Sequence, residues 1–296
     1  MDARALLLTP VLAGLLAIPL DAGRALPRHE TRFRLDDRGR VIVPAMMGGD
    51  GPFDVVLDTG SNASAVSDRL VERLSLSYVA RSTVLSAGGT MVRGIVRLAP
   101  VIVGPAVQRD ILATVMPAKD LEVAARGIDG MLGQDFLGQL HYTLDYRRRV
   151  LVWDDFAPAE GTNSAGPSSA SVQVSLVPAD GRYVTELPQD GMDEALRFVP
   201  DSGADSLVLF ERPAGRLPAM TPVGGAFLIA GLTGVREARM MRLDVLRVGS
   251  LVLRNQRAVT VDRPEPDAPD VDGLLPLHHF SRVGFRSREQ RLLVWP

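Results

Sequence analysis

With 296 residues, 46% of them hydrophobic and 23% charged, the chain has the make-up of a folded protein with room for two cores of ordinary domain size. Its formal charge is −2 and Lys119 is the one lysine among arginine cations, so composition makes no electrostatic case for a nucleic-acid partner. The lack of cysteine excludes disulfides and thiol chemistry alike.

Arg4 and the apolar run at 5–20, followed by small residues around Gly23 and Ala25, read as a leader spanning 1–25. Export with cleavage places the mature protein in the periplasm or outside the cell. An uncleaved membrane anchor is the alternative, but Pro10, Pro19 and a run shorter than about 20 residues speak for cleavage. Nothing later in the chain resembles a transmembrane helix.

From residue 41 the pattern is that of strands. Apolar segments at 41–43 and 53–57 around a glycine-rich turn at 48–51 predict a hairpin that delivers Asp58 at its far end. Asp58-Thr59-Gly60-Ser61 suits a tight turn, because glycine tolerates backbone angles and close approaches that a side chain forbids. Ser67 is placed to cap a helix over 68–74 with Leu70, Val71 and Leu74 on one face. Asp129, ahead of Gly130, reads as turn chemistry that satisfies backbone amides. The first half, 26–156, closes on the apolar stretch Val150-Leu151-Val152-Trp153. Residues 157–170 are rich in Ala, Pro, Gly and Ser without apolar periodicity, and read as a linker.

The second half, 171–296, repeats the arrangement: a strand at 183–187, a polar turn at 189–191 and a strand at 196–199 lead into Asp201-Ser202-Gly203-Ala204. A proline-rich acidic stretch at 263–270 reads as a solvated excursion, and Asp272 before Gly273 as a second structural turn acid. His278 and His279, as neighbours on a strand, would point to opposite faces, and no carboxylate–histidine spacing supports a metal site. Trp153 and Trp295 read as core residues. No Gly-x-Ser-x-Gly is present to support serine chemistry.

The two acidic motifs stand 143 positions apart (201 − 58), and other segments keep that register. Leu85, Ala87, Gly88, Thr90, Val92 and Arg93 fall on Leu228, Ala230, Gly231, Thr233, Val235 and Arg236, while Asp129-Gly130 falls on Asp272-Gly273. The closing tryptophans are 142 apart (295 − 153). So long a period means a duplicated lobe rather than a solenoid, whose repeats run at about 20–50 residues. Two facing turns of this kind would bring two carboxylates together, and such a pair can divide general acid and general base work.

These residues carry a family resemblance. Val-Val-Leu-Asp-Thr-Gly-Ser at 55–61, Phe-Val-Pro-Asp-Ser-Gly-Ala at 198–204 and Ile-Asp-Gly-Met-Leu-Gly-Gln-Asp-Phe-Leu at 128–137 resemble the motifs of retropepsin-like and pepsin-like aspartic peptidases. The likeness extends over both halves, about 31–153 and 171–295. It implies an all-β fold of two tandem retropepsin-like β-barrel lobes with the active-site cleft between them. It also implies an aspartic endopeptidase with Asp58 and Asp201 as its catalytic pair. Thr59, Gly60, Ser61, Ser202, Gly203 and Ala204 would support the pair, the two hydroxyls by bonding across to the opposite lobe. Ala87, Gly88, Gly89 and Thr90, with Ala230, Gly231, Leu232 and Thr233, would form hairpin flaps over a bound peptide. The partner is a peptide or protein substrate, and the reaction needs no metal or cofactor. Both lobes lie in one chain, so a monomer suffices.

Two positions depart from the family pattern. Leu274-Leu275-Pro276 has proline where the family has glycine, and the first flap lacks the pepsin-like tyrosine, as retropepsin-like flaps do. Proline fixes φ and removes a backbone donor. On that ground a periplasmic peptide-binding protein that keeps the fold without turnover is the alternative reading.

Overall fold

The computed structural model describes residues 27–86, 89–157, 171–211, 217–231, 234–262 and 270–296. The expected leader, positions 158–170 of the expected linker, flap-tip residues Ala87, Gly88, Leu232 and Thr233, and the proline-rich stretch 263–269 lie outside the described residues.

Strands dominate because the apolar segments are short, β-branched and bounded by glycine-rich turns. The first predicted hairpin forms between Val41–Met47 and Asp50–Leu57, its tip made by Gly48 and Gly49 at φ 62° and 94°, where a side chain would be strained. The predicted helix runs Asp68–Arg73, and the Ser67 hydroxyl accepts from the Leu70 amide at 3.0 Å as its N-cap.

The duplication recurs in topology. In the first half the sheet order is Tyr78–Ser86, Gly89–Arg97, Leu112–Met116, Ala65–Ser67, Gly130–Leu132, Asp50–Leu57, Val41–Met47. In the second it is Met220–Gly231, Gly234–Val248, Leu251–Asp262, Leu207–Glu211, Gly273–Pro276, Leu196–Asp201, Arg182–Leu187. The strand ending at Leu57 pairs parallel with Gly130–Leu132, which pairs antiparallel with Ala65–Ser67. The acidic motif is therefore the crossing between two strands separated by a third. Leu196–Asp201, Gly273–Pro276 and Leu207–Glu211 repeat this.

A third sheet welds the halves. Glu30–Arg32, Val150–Trp153 and His141–Asp145 from the first half continue into Arg282–Arg286, Arg291–Trp295 and Val172–Ser175 from the second, all antiparallel. At the junction Tyr142 stands opposite Phe285, and their rings stack at 4.8 Å. The largest buried cluster runs through both halves, including Leu57, Phe136 and Trp153 with Phe198, Leu275 and Phe285.

One expectation is corrected. His278 and His279 do not lie on a strand: Pro276, at φ −67°, opens a 3₁₀ turn over Leu277–His279. The two rings meet edge to face at 4.7 Å instead of pointing to opposite faces.

A core continuous across the junction should unfold as one unit. Phe285→Ala is expected to cost about 3–5 kcal/mol, with fluorescence and circular dichroism following a single urea transition; separate transitions for the two halves would contradict a shared core.

Candidate active site

Both acidic motifs arrive at the boundary between the halves on buried strands. Leu57 is fully buried, and the Asp58 amide donates to the Leu132 carbonyl at 2.9 Å, so the crossing loop starts from a fixed point. Beyond it the two loops lock together. The Thr59 hydroxyl donates to the Pro200 carbonyl at 2.8 Å and accepts from the Ser202 amide at 3.0 Å. The Ser202 hydroxyl donates to the Leu57 carbonyl at 2.6 Å and accepts from the Thr59 amide at 3.1 Å. Each side chain is only 1% exposed, so losing either would strand buried backbone groups.

The lock sets Asp58 and Asp201 within hydrogen-bonding reach of each other. One oxygen of Asp58 accepts from the Gly60 and Ser61 amides at 3.0 and 3.1 Å, and one of Asp201 from the Gly203 and Ala204 amides at 2.7 and 3.1 Å. Glycine is required twice: a Cβ on Gly60 would lie 2.5 Å from the Asp201 carboxyl carbon, and one on Gly203 would lie 2.8 Å from that of Asp58. Ser61 contributes its amide, while its hydroxyl turns away to the Ala63 carbonyl at 2.8 Å. Ala204 is buried at the matching place.

Both carboxyls are pushed up. For Asp201 the main cause is burial, followed by the neighbouring Asp58 charge, and its carboxyl is held well above the usual range. Burial also raises Asp58, but the Asp201 hydrogen bond, the Gly60 and Ser61 amides and the Arg182 guanidinium pull it back. The two carboxyls titrate as a pair, and their contact disfavours the doubly ionised state.

The outer shell differs between halves. In the first, the Gly133 amide donates to the Ser64 hydroxyl at 3.1 Å, which in turn donates to Asp135 at 2.6 Å, and Gln134 Nε2 donates to the Thr59 carbonyl at 2.7 Å. Burial raises the Asp135 carboxyl. In the second half Leu207 stands in the place of Ser64 and Pro276 in that of Gly133. The donor that proline lacks has no acceptor waiting for it. Asp129 accepts from the Asp54 amide at 3.3 Å and Asp272 from the Arg197 amide at 2.7 Å, both away from the carboxyl pair.

The hairpins Tyr78–Ser86 with Gly89–Arg97 and Met220–Gly231 with Gly234–Val248 carry the remaining candidate residues. Gly89 pairs with Ser86, Thr90 with Leu85, Ala230 with Val235 and Gly231 with Gly234. The helix Ala118–Ala124 of the first half lies against Met220–Gly231 of the second, so this hairpin crosses the boundary between the halves.

Sequence reading missed two arginines. Arg40 Nε donates to the Gly203 carbonyl at 3.0 Å, and Arg182 Nη1 to the Gly60 carbonyl at 3.3 Å. Each reaches from the start of the strand that leads into the acidic hairpin of one half, Arg40 just before Val41–Met47 and Arg182 at the head of Arg182–Leu187, to the acidic loop of the other. The signal was available: both follow a glycine, Gly39 and Gly181, and they are 142 apart (182 − 40), the spacing of the closing tryptophans.

Comparison with known proteins bears on these observations. The model of the Aspartyl protease family matches residues 43–136 and 190–277, more than half of the chain. Among solved structures, an aspartic proteinase from Irpex lacteus is 10% identical and aligns over 90% of this chain and 96% of its own, with a TM-score of 0.47. No curated protein sequence matches.

Because the folded state favours the protonated form of Asp201, the stability this group contributes is fully present below its unfolded pKa of about 4 and is lost as pH rises through its folded value. Asp201→Asn mimics the neutral form. Its melting temperature should match that of the unmodified protein at about pH 3 and exceed it increasingly towards about pH 7 in a thermal-shift series; a gap independent of pH would contradict the raised carboxyl.

Proposed function

The chain belongs to the aspartyl protease family, and from that premise we propose that it is an endopeptidase in which Asp58 and Asp201 activate a water between them. The observation that carries this reading is the pair of carboxyls within hydrogen-bonding reach, Asp201 buried and Asp58 partly buried, with unequal environments. Two acids so close share one proton, which equips them for opposite tasks.

The ionised Asp58 takes a proton from the water, whose oxygen attacks the scissile carbonyl carbon, while Asp201 gives its proton to the carbonyl oxygen. A tetrahedral diol results. It collapses when Asp58 returns its proton to the departing amine and Asp201 recovers one from a diol hydroxyl. The amides of Gly60, Ser61, Gly203 and Ala204 keep the inner oxygens aimed, leaving the outer ones for water and substrate. The substrate is an extended peptide held by strand-like pairing beneath the two hairpins.

The non-catalytic alternative rested on Pro276. Proline there coincides with Leu207 in place of Ser64, a side chain that offers no acceptor for a glycine amide, and this favours the catalytic reading.

Incubation with a mixed peptide library should yield internal cleavage with a bell-shaped pH profile. Its acid limb reports ionisation of the pair and its alkaline limb loss of the Asp201 proton, both above the ordinary carboxylate value near 4. Asp58→Asn and Asp201→Asn should each lower kcat by about 10²–10⁴-fold. Undiminished cleavage by either variant would refute the assignment.

A further inference from the structure

The two arginines that cross between the halves are twins in position but not in surroundings. Arg40 is 9% exposed and sits among acids: its Nη2 is 3.4 Å from Asp205 and its Nη1 3.7 Å from Asp36, with the Val123 carbonyl at 3.4 Å. Its charge is neutralised locally. Arg182 has none of this. The counterpart of Asp205 is Asn62, 143 positions earlier (205 − 62), and its amide is turned aside to the Asp180 carbonyl at 3.2 Å. Asp36 stands across the hairpin from Arg40, whereas Ala179 stands across from Arg182.

Among the described residues Arg182 therefore makes one hydrogen bond, to the Gly60 carbonyl, and its buried Nε has no partner. Its charge acts on Asp58. A guanidinium presents five donors in a fixed fork that fits a carboxylate, and leaving it unmatched in a partly buried place is costly unless a ligand completes it. Gly60 lies against the Asp201 carboxyl, so this fork stands about two peptide residues from the bond to be cut.

We propose that Arg182 determines specificity by pairing with an acidic side chain of the peptide, Asp or Glu, within about two residues of the scissile bond. This rests on the endopeptidase reading. The cation is supplied by one half only, so the preference applies to one side of the cleavage site. The duplication left two equivalent places; Asp36 and Asp205 fill one from within, and the substrate fills the other.

The test has two arms. In the first, a decapeptide library randomised at each position is digested and the products sequenced, and the best sequence is remade with Glu, Gln or Lys at the selected position. For a charge-assisted pair the protein should prefer Glu to Gln by about tenfold or more in kcat/KM. Arg182→Lys should retain that preference, Arg182→Gln should erase it, and Arg182→Glu should shift it to Lys. A residue that only lowered the Asp58 pKa would shift the pH profile equally for all three peptides. In the second arm, fluorescein-labelled Glu and Gln peptides are bound to Asp201→Asn, with and without Arg182→Gln, and Kd is read by anisotropy. Cleavage without any acidic preference, or a preference that survives Arg182→Gln, overturns the proposal and leaves the endopeptidase standing. Selective binding of the Glu peptide that depends on Arg182, in a protein that cuts nothing, supports the arginine's role and removes the enzyme reading. Equal Kd values for the two peptides overturn the proposal whatever the cleavage result.

Discussion

Two carboxyls in contact, Asp201 buried and Asp58 partly buried, repel once both are charged, so a frame that cannot spread must hold them. The crossed bonds of Thr59 and Ser202 form that frame. Each hydroxyl is at once donor and acceptor to backbone of the opposite half, and every group involved is out of water. Pulling the loops apart would leave four buried backbone groups without partners, a cost of about 1–3 kcal/mol apiece. The frame in turn depends on the sheet joining the halves, where Tyr142 and Phe285 stack across the junction.

The duplication explains why so much of the site is symmetric, and the places where symmetry fails are paired changes. Pro276 could not replace a glycine whose amide was in use; with Leu207 at the position equivalent to Ser64, the polar triad of Ser64, Gly133 and Asp135 is not repeated in the second half. His278 then takes the position of Asp135 and lies against Gly39, where a Cβ would come within 2.8 Å of its ring. Burial lowers the His278 pKa, opposed by the nearby Asp205 and Asp36, so the ring joins the acid cluster around Arg40.

The constant offset between halves made the fold and the acidic pair legible in the residues, since a repeat in register implies equivalent positions whatever the local structure. Local chemistry was legible too, as in the Ser67 cap and the Gly48-Gly49 turn. What escaped depends on contacts across the chain. Arg40 and Arg182 are unremarkable arginines at strand starts until the other half is brought against them. The histidines were misplaced because strand alternation was assumed to continue past Pro276, and the 3₁₀ turn it opens has a different period.

Symmetry alone would leave the carboxyl pair without a preferred proton position. Amides support both acids alike, two donors for each, so backbone geometry cannot choose between them. Charge does. Arg182 acts on Asp58 and forms no ion pair among the described residues, whereas Arg40, near the Asp201 loop, is matched by Asp36 and Asp205. The Arg182 field favours the ionised form of Asp58, in line with the division of labour that the proposed mechanism assigns. Asn62, where the other half has Asp205, thus has two consequences from one cause: the Arg182 cation favours the charged form of Asp58 and, in the proposed reading, stays open to a negatively charged ligand.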